Sequence, residues 1–543
     1  MKTSVSVLFP GAVLAVFLLL TGCGGSNGSP TGDTMALQII ASSIRDGQTR
    51  VATDTTISVT FSAPIDPATV NIGSFMLEDS SGPLAGTVSL DADGVTATFM
   101  PDAPLPARDT LVATLTTAIR SLTGQVLPAD HVIRFSTAPW TRQAGTPDDD
   151  VSLAITTDPA GNLYVAGHTT GTLAGQTRAG GQDIIVIKYD AAGRELWARQ
   201  FGTPASDQAA AIALGASGRL QVAGTTGGAF PGQTSSGGTD AIILTLDTDG
   251  QLIDTIQFGT AGDDVASALV IDSNGNRIVA GQTTGAFTGF VSAGGTDVFV
   301  RAFSPQGTVL WTDQFGSNGQ DSGAALVADS NGNVYLAGTA GGSLDGNTAL
   351  SFNDIFLTAH DTASGTRLWL RQLRTLPPDT TPALTNETAR ALAIDASGNL
   401  YIAGDRLDVL SGTNGLDMLL VKCDNTGNPV SADTFGTSND DRLNAIAIDN
   451  QGNLYAAGQS VGNLAGTGAG LDDIIVLKRD ANGNRLWARQ TGTSAADLAN
   501  ALTLSANGDL VITGQTGDGL DGNTPLGGSD LFLMRFAPDG TPD

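Results

Sequence analysis

Two sets of acidic residues recur along the chain, and carboxylates are the ligands that a hard cation such as Ca²⁺ prefers. One set comprises Asp183, Asp240, Asp297, Asp354, Asp417, Asp473 and Asp530. The other comprises Asp150, Asp207, Asp264, Asp321, Glu387, Asp441 and Asp497. An acid that returns in every repeat also has a structural explanation, because an Asp carboxylate accepts backbone N–H bonds and holds a loop. We prefer the structural interpretation and keep a calcium ring, formed by the second set, as the alternative.

Other catalytic or cofactor chemistry has little support in the sequence. The three histidines, His131, His168 and His360, lie in separate segments and predict neither a zinc cluster nor a Ser-His-Asp site. Turns such as 272–276, Asp-Ser-Asn-Gly-Asn, begin like a calcium loop but lack the distal Glu of an EF-hand. No Gly-rich phosphate loop leads from a strand into a helix. We therefore predict a protein that is not an enzyme, with no catalytic residues and no cofactor apart from the alternative Ca²⁺.

The acids occupy fixed places in an internal repeat. Residues 161–167 read Gly-Asn-Leu-Tyr-Val-Ala-Gly, and related segments end at glycines 224, 281, 338, 404, 458 and 514. In the first repeat, apolar and polar residues alternate over 152–157, 162–168, 183–189 and 195–201, with turns rich in Asp, Asn and Gly between them. Four short antiparallel strands in each of seven repeats are typical of β-propeller blades. The expected fold is all-β, with a seven-bladed β-propeller over residues 139–543.

The repeat is offset from the blades in a way that predicts ring closure. Residues 140–145 match 197–202, which form an outermost fourth strand, and the chain ends after a third strand at 531–536. The segment around Trp140 can therefore complete the last blade and remove an exposed edge. Because strand direction alternates, the tight turns share one face of the ring, the turn face. The long loops and the links between blades share the other, the long-loop face, where the second acidic set would surround one mouth of the central channel.

The repeat units resemble a known family. Residues 140–202 combine a Trp-Ala-Arg-Gln-Phe-Gly-Thr strand with Gly-Asn-Leu-Tyr-Val-Ala-Gly and Gly-Gly-x-Asp-Ile-Ile-Val segments, as in the bacterial SBBP-type β-propeller repeat. The resemblance covers roughly three quarters of the chain. It implies an exported or surface protein that binds or scaffolds, with no shared catalytic chemistry. The turn at 361–369 also resembles repeats of quinoprotein propellers, but no quinone-site motif accompanies it.

The segment before the repeats forms a separate β-rich unit. Residues 36–138 alternate over 55–61, 74–78, 84–90, 95–100, 110–115 and 131–136, and this spacing suits one β-sandwich. The stretch 57–70 resembles the bacterial S-layer-type Ig-like domain. Because the segment has no cysteine and no tryptophan, the antibody-type core is absent. The resemblance implies a spacer or adhesive module.

The N-terminal residues predict export and lipid attachment. Residues 1–23 carry Lys2, an apolar run over 5–20 and a Leu-Thr-Gly-Cys ending that resembles the bacterial lipobox. The resemblance implies cleavage before Cys23 and its lipidation with diacylglyceryl and palmitate chains. Gly24 after the cysteine resembles the outer-membrane sorting class, and residues 24–35 read as a flexible tether. The alternative is an uncleaved apolar helix.

Charge and cysteine content restrict the partners. The chain has a formal net charge of −28 and a pI near 4.2. Because such a negative surface repels phosphate backbones, nucleic acid is not expected as a partner. With Cys23 lipidated, Cys423 is left alone in a strand-like segment, where we expect a buried structural role. One blade carries a longer link at 374–382, Arg-Thr-Leu-Pro-Pro-Asp-Thr-Thr-Pro, which is either an ordinary insertion or part of an asymmetric partner site.

These observations favour a lipid-anchored envelope protein, at the outer membrane or cell surface, that binds protein or glycan through the long-loop face. Two alternatives stay open. One is an extracytoplasmic polysaccharide hydrolase or lyase with its site at the channel mouth, and the other is a structural component of outer-membrane assembly. The sequence predicts neither the ligand nor the oligomeric state.

Overall fold

The computed structural model describes residues 36–543 apart from 52, 54, 348–351, 374–384 and 409–414. The predicted signal segment, Cys23, the tether and the longer link at 374–382 lie outside these residues. The described chain folds into strands and two single-turn 3-10 helices, at Pro67–Thr69 and Leu520–Gly522, so the predicted all-β class is confirmed. Within the described ranges, no helix has the length and apolar character needed to cross a membrane.

The N-terminal unit is a sandwich of two sheets with strand orders β1-β3-β7-β6 and β2-β9-β8-β4-β5. Its strands are β1 (Ile39–Ser42), β2 (Gln48–Val51), β3 (Ile57–Phe61), β4 (Phe75–Asp79), β5 (Gly82–Pro83), β6 (Gly86–Leu90), β7 (Thr96–Pro101), β8 (Thr110–Leu115) and β9 (His131–Thr137). Phe61, Phe75, Phe99 and Phe135 are buried in its core. Six strands lie where alternation predicts them, whereas β1, β2 and β5 are too short for that pattern to reveal.

Seven four-stranded antiparallel sheets follow and form the blades. Their strands are β11 (Asp150–Thr157), β12 (Leu163–Thr169), β13 (Asp183–Tyr189) and β14 (Glu195–Phe201) in blade 1; β15 (Asp207–Leu214), β16 (Leu220–Thr226), β17 (Asp240–Leu246) and β18 (Leu252–Phe258) in blade 2; β19 (Asp264–Ile271), β20 (Arg277–Thr283), β21 (Asp297–Phe303) and β22 (Val309–Phe315) in blade 3; β23 (Ser322–Ala328), β24 (Asn333–Ala340), β25 (Asp354–Asp361) and β26 (Arg367–Gln372) in blade 4; β27 (Thr385–Ile394), β28 (Leu400–Asp408), β29 (Asp417–Cys423) and β30 (Pro429–Phe435) in blade 5; β31 (Asp441–Ile448), β32 (Leu454–Ser460), β33 (Asp473–Arg479) and β34 (Arg485–Thr491) in blade 6; and β35 (Asp497–Leu504), β36 (Leu510–Thr516), β37 (Asp530–Phe536) and β10 (Arg142–Ala144) in blade 7.

Blade 7 is completed by the segment that precedes blade 1, so the chain closes a ring. Strand β10 pairs antiparallel with β37, with Gln143 opposite Phe532. The innermost strands contact one another around the ring, including β11 of blade 1 with β35 of blade 7. The neighbouring Trp140 is buried, and its backbone N–H donates to the Asp543 carbonyl at 3.0 Å. The closed propeller expected from the repeat offset is therefore present.

A recurring aspartate shapes the first tight turn of the blades. Asp158 Oδ1 accepts the backbone N–H groups of Ala160 at 3.0 Å and Asn162 at 2.9 Å. Gly161 has a φ of +83°, a left-handed conformation that side chains with a Cβ disfavour. The Tyr164 hydroxyl donates to the same carboxylate at 3.1 Å. The Asp-x-x-Gly-Asn-x-Tyr pattern is therefore a turn with its own hydrogen-bonded support.

Five blades carry a tryptophan on the outer strand, and this tryptophan packs against the following blade on the turn face. Trp197 Nε1 donates to the Thr248 carbonyl of blade 2 at 3.0 Å, and Arg199 Nε donates to the Gly250 carbonyl at 3.2 Å. A Cβ at Gly250 would lie 3.0 Å from the indole ring, so the ring packs directly on the turn backbone. Trp311 and Trp487 make the equivalent hydrogen bonds to the following blades.

Two blades lack this tryptophan, and an arginine of the following blade takes part in the junction in each case. In blade 2, Asp254 occupies the tryptophan position. Arg277 Nη1 lies 3.6 Å from the Asp254 carboxylate, and its Nη2 donates to the Ser304 carbonyl at 2.9 Å. In blade 5, Ser431 occupies the tryptophan position, and the guanidinium of Arg479 from blade 6 lies 4.5 Å from the ring centre of Phe435. At these two junctions, arginine contacts therefore replace the packing of a tryptophan on the neighbouring turn.

Candidate binding surface

In six blades, the acid of the second set ties the innermost strand to the link from the preceding blade. Thr203 donates to Asp207 Oδ2 through its backbone N–H at 2.6 Å and its hydroxyl at 3.0 Å, while the Thr226 hydroxyl donates to Oδ1. Asp207 is fully buried. The link residue and acid recur as Thr146 with Asp150, Thr260 with Asp264, Ser317 with Asp321, Thr437 with Asp441 and Thr493 with Asp497. These contacts support the structural interpretation.

In six blades, the acid of the first set fastens the long loop to the outer strand of the same blade. Asp183 Oδ2 accepts the Ala179 N–H at 2.7 Å and Gln200 Nε2 at 2.8 Å. Gln200 Oε1 in turn accepts the Leu173 N–H at 2.9 Å. The acid and glutamine recur as Asp240 with Gln257, Asp297 with Gln314, Asp354 with Gln372, Asp473 with Gln490 and Asp530 with Gln143.

The two sets meet in pairs at the junctions between blades. A Cβ at Gly202 would lie 2.2 Å from Asp183 Oδ1 and 3.2 Å from Asp207 Oδ2, so only glycine fits between the two carboxylates. Burial raises the pKa of Asp207, and the negative charge of Asp183 raises it further. The same junction forms at Gly259 between Asp240 and Asp264. Among the described residues, no three His, Cys, Asp or Glu side chains converge as metal ligands. The calcium ring stays a prediction.

Blade 5 departs from this arrangement at the long-loop end of its inner hairpin. Glu387 stands in place of the inner Asp, and Arg406 stands where blade 2 has Thr226. Both side chains are buried, with Arg406 Nε 4.0 Å from Glu387 Oε1. Strands β27 and β28 pair beyond this point, as far as Thr385 opposite Asp408, so the hairpin is longer than its counterparts.

The central wall of the ring is also asymmetric at blade 5. Every innermost strand has an irregularity in register at one position, occupied by Leu153, Ala210, Ser267, Ala324, Arg390, Asn444 and Asn500. In blade 6 and blade 7, Asn444 and Asn500 donate to carbonyls of the next innermost strand, each at 3.0 Å. Arg390 instead pairs with Asp405, and its side chain is 36% exposed. A charged, partly exposed residue therefore interrupts an otherwise neutral row.

The histidines and Cys423 do not join this cluster. Burial lowers the pKa of His168 in blade 1, whereas His360 Nε2 lies 2.9 Å from Asp313 in a different blade junction. His131 is exposed on the N-terminal sandwich. Cys423 is buried in an apolar cluster, and this burial raises the pKa of its thiol to about 12. The packing agrees with the structural role expected for Cys423.

The N-terminal sandwich docks against blade 7. Arg108 Nη2 lies 2.7 Å from Asp521 Oδ2, and Arg50 Nη1 donates to the Asp521 carbonyl. Beside these contacts lies a cleft of about 840 Å³ between the sandwich and blade 1, lined by Met100 and Arg194 among others. The docking surface and this cleft were not foreseen from the sequence, because no repeat or motif marks either side of the contact.

Known sequences and structures resemble parts of this chain. Residues 33–137 match the bacterial Ig-like domain family, and residues 140–173 and 310–345 match the SBBP β-propeller repeat. The regulatory protein FlaEY of Caulobacter vibrioides is 26% identical over 398 residues, which span 64% of this chain and 41% of that protein. The chain thus covers less than half the length of that relative.

Two solved structures show a distant likeness in chain path. The quinohemoprotein alcohol dehydrogenase ADHIIG of Pseudomonas putida HK5 aligns with a TM-score of 0.42 at 10% identity, over 75% of this chain and 76% of that one. A PL25 ulvan lyase aligns with a TM-score of 0.41 at 13% identity, over 73% of this chain and 96% of that one.

Proposed function

Because the chain carries a bacterial Ig-like domain followed by SBBP-type β-propeller repeats, we propose that it is a lipid-anchored envelope protein that binds or scaffolds a protein or glycan. In this proposal Cys23 holds the anchor, and recognition occurs on the long-loop face without turnover. The rigid ring presents the loops in fixed positions, an arrangement that suits broad and shallow recognition.

The observation that carries the proposal is the charged cluster of blade 5. Glu387, Arg390, Asp405 and Arg406 replace neutral or differently bonded residues of the other blades, and they lie on adjacent strands of one hairpin. Residues common to all blades are explained by the ring itself, whereas a ligand needs contacts that only one sector supplies. A buried ion pair such as Glu387 with Arg406 is poor support for stability alone, because desolvation opposes its attraction. The cluster is therefore more readily explained by recognition than by folding.

The proposal is tested at Arg390, the exposed member of this cluster. Arg390→Asn introduces the residue that blade 6 and blade 7 carry at the same position, so the strand irregularity is preserved. A glycan array and crosslinking to envelope extract first identify what the full chain retains. We expect the substitution to weaken that retention by about tenfold or more, since loss of a charged hydrogen bond costs about 1.5–3 kcal/mol. Gln208→Ala, an exposed change in blade 2, is the matched control.

The outcome also separates the rival functions. Retention that is unchanged in Arg390→Asn contradicts recognition at blade 5. Shortening of a retained polysaccharide by the wild-type chain would favour the hydrolase or lyase alternative. Loss of outer-membrane proteins from a deletion strain, without any ligand retained on the array, would favour a structural role in assembly.

The anchor has its own test. Cells expressing the full chain are labelled with an alkyne analogue of palmitate, and the purified protein is examined by gel fluorescence. The wild-type chain is expected to carry the label and to sediment with membranes, whereas Cys23→Ala should lose both properties. Labelled Cys23→Ala, or an unlabelled wild type, contradicts lipidation at Cys23.

A further inference from the structure

Arg301 breaks the repeat in the middle of the third strand of blade 3. The equivalent residues of the other blades are uncharged, namely Ile187, Leu244, Thr358, Val421, Leu477 and Met534. All of these residues belong to the third strand of a blade, and third strands contact the neighbouring blade. A cation at this position is not needed to build a blade, because six blades form without one.

The Arg301 side chain is enclosed by aromatic rings at the junction of blade 2 with blade 3. Its guanidinium carbon lies 5.3 Å from the ring centre of Phe258, 5.0 Å from that of Phe287 and 5.6 Å from that of Phe303. These cation–π contacts are favourable but do not replace hydrogen bonds. Nε of Arg301 is buried and has no hydrogen-bond partner among the described residues.

The other arginines that lie over rings have acidic partners or carbonyl acceptors. Arg199, Arg371 and Arg489 lie over tryptophans and donate to backbone carbonyls. Arg367 lies over Phe315 and pairs with Asp345 at 3.0 Å. Arg479 lies over Phe435 and pairs with Asp433. Within the described part of the chain, Arg301 forms no ion pair inside 4.0 Å. Arg301 therefore differs from these arginines in having neither an ion pair nor a hydrogen-bond acceptor among the described residues.

A cavity of about 330 Å³ adjoins this arginine. It is lined by Arg301, Phe287 and Thr312, by the link residues 259–261 and by the loop residues 286–288. Ala261, Ala286 and Thr288 are exposed, and they belong to an inter-blade link and a long loop. The cavity therefore opens on the long-loop face and ends at the unpaired guanidinium.

The electrostatics favour an anion in this cavity. Burial lowers the pKa of Arg301 and the field of Asp264 partly opposes this shift, but a guanidinium remains protonated at neutral pH. Arg301 is half-buried and its Nε is enclosed without a partner. An anion that enters the cavity supplies the partner that this partly desolvated charge lacks. The cavity has one cation inside a strongly acidic protein, so a monoanion is repelled less than a dianion such as phosphate. A planar carboxylate also matches the guanidinium fork with two parallel hydrogen bonds.

We propose that this cavity binds a carboxylate carried on a monosaccharide-sized group, as in a sugar acid, with Arg301 as its anchor. The volume lies at the lower end of small-molecule sites, which suits one such group. This site shares the long-loop face with the proposed recognition surface of blade 5 but uses different residues, so it goes beyond that function and does not depend on it.

The probe is sodium D-glucuronate, titrated calorimetrically into the full chain at constant ionic strength. Saturable binding is expected for glucuronate, with D-glucose and inorganic phosphate at least tenfold weaker. Arg301→Leu should abolish the binding, and Arg301→Lys should retain part of it because the charge remains. Arg178→Leu, which removes an exposed cation from a long loop of blade 1, should leave binding unchanged.

Folding of the variant is checked separately, and the failures of the two proposals are distinguishable. Arg301→Leu should melt no lower than the wild type, because blade 2 and blade 6 carry leucine at the same position. The proposal is overturned if glucuronate binding is absent, survives Arg301→Leu, or is weaker than phosphate binding. Arg390→Asn should not alter glucuronate binding. Glucuronate binding therefore tests the Arg301 cavity, and retention of the blade 5 ligand tests the proposed function separately.

Discussion

At the residue scale, the chain encloses acidic pairs at its blade junctions and holds them with hydroxyl and amide donors. Asp207 accepts from Thr203 and Thr226, while the facing Asp183 accepts from Gln200. Each donor favours the charged carboxylate, yet burial and the neighbouring charge oppose it more strongly and raise the pKa of Asp207. The hydrogen bonds therefore link neighbouring strands and loops at the junction, while the burial of two carboxylates is unfavourable.

Asp207→Asn is expected to change the pH dependence of stability. The pKa of Asp207 is higher in the folded state than in the unfolded state. Its contribution to stability is therefore complete below the ordinary carboxyl pKa of about 4. This contribution is lost as pH rises through the raised folded-state pKa. Asparagine carries no charge at any pH in this range. The melting temperature of the variant minus that of the wild type should therefore increase from pH 4 to pH 7, measured by circular dichroism.

Asp424 provides a control of opposite sign. Hydrogen bonds from Thr426 and from the Asn428 backbone lower the pKa of this turn carboxyl to about 2. Its stabilising contribution is present above the unfolded pKa and is lost as pH falls through the folded value. The Asp424→Asn melting difference should therefore become more negative as pH rises. If the two variants respond in the same direction, the assignment of the buried and exposed acids is wrong.

The sequence predicts each recurring acid but not their meeting. Asp183 and Asp207 belong to successive blades, and only the closed ring brings them to opposite sides of Gly202. Arg301 was equally missed, although the signal was available in alignment of the repeats, where an arginine stands among mostly aliphatic residues. Its lack of an acidic partner depends on packing between blades, which a single repeat cannot show.

At the element scale, the outer strands are joined to the following blades by interchangeable sets of side chains. Blade 1 uses Trp197 against the turn at Gly250, whereas blade 2 uses Asp254 with Arg277 of blade 3. The sequence shows the missing tryptophan near Asp254. It does not show the replacement, because Arg277 occupies a position in the next repeat that is leucine in blade 1.

Asp254→Trp and Arg277→Leu are expected to compensate for each other. Either change alone disrupts the junction, since Arg277→Leu removes the donor to the Ser304 carbonyl and Asp254→Trp introduces an indole beside an unchanged arginine. Each single variant should lose about 1–3 kcal/mol of unfolding free energy. The double variant should lose less than the sum of the two, as measured by urea denaturation followed by circular dichroism. Additive losses would show that the two residues do not substitute for the tryptophan contact.

Most strands follow from alternation and from the Asp and Gly turns, and the third and fourth strands of blade 1 have the expected bounds. The innermost strand of that blade begins two residues earlier than the alternation indicates, at Asp150. The reason is that Asp150 is already paired with Thr169 across the hairpin. Backbone pairing therefore extends strands into positions where side-chain polarity predicts a loop.

At the scale of the whole molecule, the Ig-like domain is attached to the seam of the ring. Strand β9 leads directly to Trp140 and β10, and Arg108 contacts both Asp521 and the Asp543 carbonyl. Arg50, Arg108 and Asp521 all have positive φ angles, a strained conformation for residues with a Cβ. We expect the contact to contribute to the relative orientation of the two domains.

Arg108→Ala should loosen this orientation without unfolding either domain. It removes the ion pair to Asp521 and the hydrogen bond to the Asp543 carbonyl. Small-angle X-ray scattering should show a larger radius of gyration, and limited proteolysis should cut faster near Ala138. Arg45→Ala, an exposed change elsewhere on the Ig-like domain, should have neither effect. An unchanged scattering curve for Arg108→Ala would show that other contacts suffice.

A crosslink across the seam tests the closure of the ring directly. In a chain with Cys23→Ala and Cys423→Ala, the pair Ala144→Cys and Leu531→Cys places two thiols on residues that face each other between β10 and β37. Mass spectrometry after mild oxidation should find a disulfide within one monomer. The control pair Ala144→Cys and Leu533→Cys, two residues out of register, should form it far more slowly. No intrachain disulfide in the first pair, or faster oxidation of the control, would contradict a ring of seven blades closed at this seam.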